Sequence, residues 1–275
     1  MKNMDTTSLS VPFRYVAIIG VDGAGAFFKD AYTPHFDRIF KDGAVTYSML
    51  TSFPTISAEC WGSLLYGVEP EQHQFTNQKA MESPCDPNSP YPSIFRVLHQ
   101  TRGAGVRMGS FSCWPAINIG MVEDNLDVCK AVAPDPKLNE WIIEFVKEGV
   151  PDLLFVQFDH VDGAGHKNGY GTRAHLESIT AADELYGQIY DTYAEAGVLD
   201  ETLFIVVSDH GGTPDRSHGG DTDAEKYITF AAAGKGVKPC SFEGAKIKDV
   251  AAIAAFALGC RIPENWSGKV PEGLF

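Results

Sequence analysis

Leu203-Phe204-Ile205-Val206-Val207-Ser208-Asp209-His210-Gly211-Gly212 is an apolar run that breaks off into two metal-competent side chains and a pair of glycines. Its length and β-branched content fit a buried strand, and the polar residues that follow mark its carboxyl end. Two other segments share this design. Tyr15 to Val21 (YVAIIGV) stops at Asp22-Gly23, and Leu153 to Phe158 (LLFVQF) runs into Asp159-His160-Val161-Asp162-Gly163-Ala164-Gly165-His166. Weaker strand patterns cover 45–50, 105–111 and 228–233. Helical patterns lie between them at 34–41, 58–66, 91–101, 136–148, 174–196 and 246–258. Such alternation predicts an α/β protein whose largely parallel sheet is covered on both faces. The longest helix, from Arg173 to Ala196, carries Leu176, Ile179, Leu185 and Ile189 on one face and stops at Gly197. Residues 68–90, rich in Pro, Asn, Ser and Gln, read as a long loop.

The 275 residues are enough for one large α/β domain. We read 12–275 as a single domain and 1–11 as a loose tail. No apolar run reaches the ~18–20 residues of a membrane-spanning helix, so no membrane contact is expected. Met1 to Ser10 is polar, with Lys2 its only cation, and lacks a secretory core; the expectation is a cytoplasmic protein. None of the six cysteines (Cys60, Cys85, Cys113, Cys129, Cys240, Cys260) sits in a close pair, so reduced thiols are expected rather than a zinc–thiolate site. The net charge of −14, from 22 basic and 36 acidic residues, disfavours binding to long nucleic acids. A small anionic ligand is compatible with it, because bound cations reverse the local field.

Ligands of open α/β sheets bind outside the carboxyl ends of the strands, so the three polar segments are expected to converge. Carboxylates mixed with imidazoles suit Zn²⁺, Mn²⁺ or Fe better than Ca²⁺. Asp162 and His166 are four apart, and the glycines between them predict a tight loop rather than a regular helix. Asp209 and His210 are adjacent, so a turn must aim both at one place. His218 follows eight residues later. Taken singly, Asp22-Gly23 reads as a turn and His218 as a loop histidine; taken together, the set reads as a metal centre. For a nucleophile, Phe53-Pro54-Thr55-Ile56-Ser57-Ala58 is the best segment. Pro54 ends an extended stretch, and Thr55 or Ser57 can cap a helix running on to Leu65. A hydroxyl there lies beside free backbone N–H groups that attract phosphate. On its own, that segment reads as an ordinary Ser or Thr N-cap.

The order Asp22, Ser57, Asp162-x-x-x-His166, Asp209-His210-Gly211 and His218 resembles the alkaline phosphatase superfamily. Within it, the chain looks most like the type I phosphodiesterase/nucleotide pyrophosphatase branch, over roughly 14–235. The resemblance implies a three-layer α/β/α sandwich and two divalent ions, usually zinc, with manganese or iron as alternatives. Asp22, Asp209 and His210, with Ser57, would bind the first ion; Asp162, His166 and His218 would bind the second. In such proteins the nucleophile lies ten residues before a helix-ending glycine. Counting from Gly67 gives Ser57 and leaves Thr55 as the fallback. An asparagine that touches a phosphate oxygen would be Asn77, in a loop one residue shorter than usual. Asp159 and His160 would at most support the ligands.

The chain also departs from the family. Larger members insert a long segment between the residues matching His210 and His218. The sulfatase Cys-x-Pro-x-Arg pattern is missing, since Cys85-Asp86-Pro87-Asn88-Ser89 lacks the arginine. The expected activity is therefore hydrolysis of a small phosphate diester or nucleotide pyrophosphate through a phosphoserine. A phosphomonoesterase, phosphonate hydrolase or phosphomutase on the same scaffold is the alternative. Arg107, Arg173 and Arg216 are the candidates for the extra cation that a monoester needs. A catalytically silent metal-binding module for a phosphorylated ligand is the reading from a different class.

Overall fold

Seven strands form one sheet in the order β2-β7-β6-β1-β5-β3-β4. The structure is a computed structural model describing residues 13–275; the expected tail over 1–11 lies outside the described residues. The strands are β1 (Tyr15–Val21), β2 (Ala44–Leu50), β3 (Met108–Ser112), β4 (Cys129–Val132), β5 (Leu153–Phe158), β6 (Thr202–Ser208) and β7 (Tyr227–Ala233). β1, β3, β4, β5 and β6 pair in parallel, while β7 is antiparallel to both β6 and β2. Only β7 therefore runs against the rest.

Along β1 the side chains alternate between two cores, as a period of two requires. Val16 and Ile18 face one, and Tyr15, Ala17, Ile19 and Val21 face the other. On the first face lie α2 (Ser57–Tyr66), α5 (Ile94–Arg102) and α10 (Asp249–Ala257). On the second lie α1 (Pro34–Phe40), α6 (Asp135–Glu148) and α8 (Arg173–Glu195). This is the expected α/β/α layering. Gly20 sits within β1 for a packing reason: a Cβ there would overlap the ring of Trp61, which reaches the strand from α2. Among the described residues no helix is long and apolar enough to cross a membrane.

Three expectations need correction. The segment holding Asp162 and His166 is not a tight loop but a helix, α7 (His160–Asn168). The Asp135 carboxylate accepts the backbone N–H groups of Asp159 and His160, so the first turn is capped from α6, and this outweighs the helix cost of Gly163 and Gly165. Residues 68–90 are not all loop; they contain the short helices α3 (Pro70–His73) and α4 (Asn77–Glu82), each started by side-chain capping at Glu69 and Thr76. The third strand spans 108–112 rather than 105–111, and β4 was not foreseen, because Cys129-Lys130-Ala131-Val132 is a partly exposed edge with no apolar run.

Candidate active site

The register of the three central strands builds the site. Val21 pairs with Phe158 on one side and Ser208 on the other, so Asp22, Asp159 and Asp209 follow at the same level of the sheet. The β1 and β6 ends are laced together. The Gly23 N–H donates to Asp209 Oδ1 at 3.0 Å, and the Gly25 N–H meets Ser208 Oγ at 2.7 Å and the His210 carbonyl at 2.9 Å.

Asp22, Asp209 and His210 are fully buried. Asp22 Oδ2 accepts from Trp61 Nε1 at 2.9 Å and Gln157 Nε2 at 2.8 Å, while Asp22 Oδ1 has no donor among the described residues. Asp209 repeats the pattern: Oδ1 takes two backbone N–H groups, and Oδ2 has no partner. His210 Nδ1 lies 2.9 Å from the Gly211 carbonyl, so it carries the proton and leaves the Nε2 lone pair facing inward. That nitrogen is 3.5 Å from Asp22 Oδ1 and 3.4 Å from Asp209 Oδ2. Burial holds both carboxyls well above the usual range, helped by Asp209 and Asp162 at Asp22 and by Asp162 at Asp209. Buried acceptors that converge with no donor are costly unless a cation sits among them. The donor set fits a divalent metal.

The second group forms where α7 meets the loop after β6. Asp162 and His166 lie one helical turn apart, with His166 Nε2 3.2 Å from Asp162 Oδ2. His218 Nε2 lies 3.2 Å from His166 Nε2. The outer nitrogens point to backbone carbonyls, His166 Nδ1 to Arg216 at 3.1 Å and His218 Nδ1 to Thr55 at 2.7 Å. Such outer bonds fix the tautomer that a metal-binding imidazole needs. The ligand atoms of Asp162, His166 and His218 lie within 4.8 Å of one another, and one Asp162 oxygen is equally close to Asp22 and His210. Without an ion, the Asp162 hydrogen bond raises His166 to about 9, while burial and His210 lower His218 to about 4. A proton then stands where the set invites a cation.

Ser57 opens α2, with its Oγ 3.2 Å from His210 Nε2. Thr55 is differently engaged. Its hydroxyl donates to the Gly220 carbonyl and accepts from the Gly219 N–H, clasping the loop that carries His218. Asn77 Oδ1 accepts the Ala58 N–H at 3.0 Å, which puts Asn77 beside the start of α2. α2 ends at Gly67 in the left-handed conformation.

The remaining candidates are set apart. Asp159 shares the Gln157 amide with Asp22. His160 turns away to Asp135 and the Ser178 carbonyl, and the Asp135 bond outweighs burial to raise its pKa. Arg107 bonds Gly149 and Phe145 carbonyls before β3, at the opposite edge of the sheet. Arg173 is exposed and pairs with Glu177. Arg216, at a left-handed φ of 67°, offers its carbonyl to His166. Sequence reasoning missed Trp61, Gln157 and Tyr170, whose hydroxyl donates to Asp162 Oδ1 at 2.6 Å. Gln157 could have been noticed, as a lone polar residue inside an apolar strand.

The profile of the type I phosphodiesterase/nucleotide pyrophosphatase family matches residues 16–249. The chain belongs to this family. Human ectonucleotide pyrophosphatase/phosphodiesterase family member 7 is 23% identical over 223 residues, covering 74% of the chain and 48% of the relative. A 2,3-bisphosphoglycerate-independent phosphoglycerate mutase of Vibrio parahaemolyticus is 28% identical over 139 residues, covering 49% of the chain and 26% of the mutase. The chain thus spans about half the length, or less, of these curated relatives. In fold, it is similar to an inactive variant of murine ectonucleotide pyrophosphatase/phosphodiesterase 5 in complex with AMP (TM-score 0.73, 16% identity, 92% of the chain and 97% of the other). A 2-O glycosaminoglycan sulfatase is also similar (TM-score 0.70, 13% identity, 94% and 73%). The chain's fold is therefore the alkaline phosphatase-like sandwich, with β7 as its reversed strand.

Proposed function

We propose that the chain is a metal-dependent hydrolase of small phosphate diesters or nucleotide pyrophosphates, acting through Ser57. The observation that carries this reading is the Ser57 hydroxyl at a helix start, 3.2 Å from His210 Nε2, the same nitrogen that lies 3.5 Å and 3.4 Å from the donor-less oxygens of Asp22 and Asp209. Asp22, Asp209 and His210, with Ser57, would hold one divalent ion, and Asp162, His166 and His218 the other. When bound, the ions would supply positive charge to the phosphate oxygens and lower the pKa of the Ser57 hydroxyl. Zinc suits the mixed nitrogen and oxygen donors, with manganese or iron next.

The rest of the chemistry belongs to the chain. The α2 N-terminus presents backbone N–H groups to an anion, and Asn77 braces that end through the Ala58 N–H. Ser57 Oγ, giving up its proton to solvent, attacks phosphorus; the bond to one ester oxygen breaks, and that oxygen leaves with a proton taken from water. The remaining phosphoryl ester stays on the serine until water displaces Oγ, which regains its proton. Thr55 is spent on the Gly219–Gly220 loop, which favours Ser57 as nucleophile. A relative solved in complex with AMP makes nucleotide esters the first substrates to try. The diester reading is preferred on the family match; Arg107 lies at the far edge and Arg173 pairs with Glu177, which leaves Arg216, whose carbonyl meets His166, as the one arginine in the loop beside the site.

Replacing Ser57 by alanine should reduce hydrolysis of bis-p-nitrophenyl phosphate to background while metal content by mass spectrometry stays near wild type. Undiminished turnover would refute the assignment. Faster wild-type turnover of p-nitrophenyl phosphate than of the diester would favour the monoesterase alternative.

A further inference from the structure

We propose that Tyr170 is the positioning residue of the second ligand group, fixing which oxygen of Asp162 an ion can take; the inference rests on the metal reading above. Asp162 sits between two claims, because its carboxylate is within 4.8 Å of the ligand atoms of Asp22 and His210 as well as those of His166 and His218. The Tyr170 hydroxyl binds Oδ1 at 2.6 Å, and Oδ2 faces His166 at 3.2 Å. One oxygen, Oδ1, is thereby committed to the phenol, with His218 Nε2 4.0 Å away, and the other is left to His166. A short bond to a charged acceptor both orients the carboxylate and tempers its basicity.

The ring is fixed as firmly as the hydroxyl. A Cβ at Gly165 or at Gly212 would overlap it, so the second glycine of each motif marks where the ring lies. Its faces and edges meet His166, His218 and His175, with centroids 5.8, 6.2 and 5.3 Å away. Behind it, buried His175 is locked between the Gly23 carbonyl and the Gly171 N–H. The Tyr170 N–H reaches the Thr213 carbonyl at 3.2 Å, which ties it to the loop carrying His218. One aromatic residue thus touches all three ligands of the second group and joins the two chain segments that supply them.

Zinc titration of the metal-stripped full chain tests this. Wild type should bind two ions. Tyr170→Phe, which keeps the ring, should retain one at wild-type affinity and hold the other about 10–100-fold more weakly. Its metal-free melting temperature should fall by no more than the loss of one hydrogen bond, so the chain stays folded during the titration. Cobalt absorption at one equivalent should be unaltered, and the second equivalent should need excess metal. Asp162→Asn should lose the same second ion, giving the reference behaviour. If Tyr170→Phe binds both ions as wild type does, or weakens both equally, the role of Tyr170 is overturned while the metal reading stands. If wild type itself binds no stoichiometric ion, the metal reading falls first.

Discussion

His73 has its Nε2 3.1 Å from the Glu59 carbonyl, to which it donates, and accepts the Phe75 N–H at Nδ1. Both ring nitrogens are used by the neutral form, and a second proton would oppose the Phe75 amide. Burial lowers its pKa to about 4, below the 6.5 of an exposed histidine. The unfolded chain therefore takes up this proton first. The contribution of His73 to stability is full above pH 6.5 and is lost as pH falls toward 4, amounting to about 3 kcal/mol at 1.36 kcal/mol per unit. Nitrogen–proton NMR should find His73 in its neutral Nε2–H form down to pH 5; titration near 6.5 would contradict the burial argument. Such residues are hard to read in a sequence. His73, Gln157 and Tyr170 matter through partners 14, 135 and 8 positions away, and local pattern carries no record of them.

α7 illustrates how an element can defy its own composition. Two glycines in Asp162-Gly163-Ala164-Gly165-His166 argued for a loop, and the helix forms because Asp135 caps its start and Tyr170 packs on Gly165. Gly163 and Gly165 should then respond in opposite ways. A Cβ on exposed Gly163 meets nothing within 4 Å, so Gly163→Ala should stabilise the metal-free chain by about 0.5–1 kcal/mol in urea unfolding. Gly165→Ala should destabilise it by forcing Tyr170 aside. Equal effects of both would mean that helix propensity alone governs this segment. By contrast, β1, β5 and β6 were legible because buried parallel strands are continuous apolar runs. The direction of β7 was not, since apolar pattern is the same whichever way a strand runs.

Taken together, the chain carries a net charge of −14 and buries carboxylates at its centre, an arrangement that bound cations would relieve. Asp22 and Asp209 have raised pKa values when no ion is present. In the metal-free chain their contribution is present below the unfolded carboxylate pKa and lost as pH rises through the raised values. An ion needs them ionised, so its binding releases protons. The gain in melting temperature from saturating zinc over chelator should therefore grow from pH 5 to 7.5; about 2.7 kcal/mol is expected at a hundredfold excess over Kd. A gain that shrinks with pH would contradict this. The convergence of the site was foreseeable because strand ends of a parallel sheet must share one edge. Its depth was not, since Asp22 is held by Trp61 and Gln157, which lie 39 and 135 positions away in the sequence.

Because β7 turns back beside β6, the stretch from Asp209 to Lys226 leaves the sheet and returns to it at the same rim. Extra residues spliced at exposed Pro214 or Asp215 would bulge outward without shifting a strand. That makes the excursion a ready place for a grafted segment, beside the candidate site yet outside the sheet that carries it.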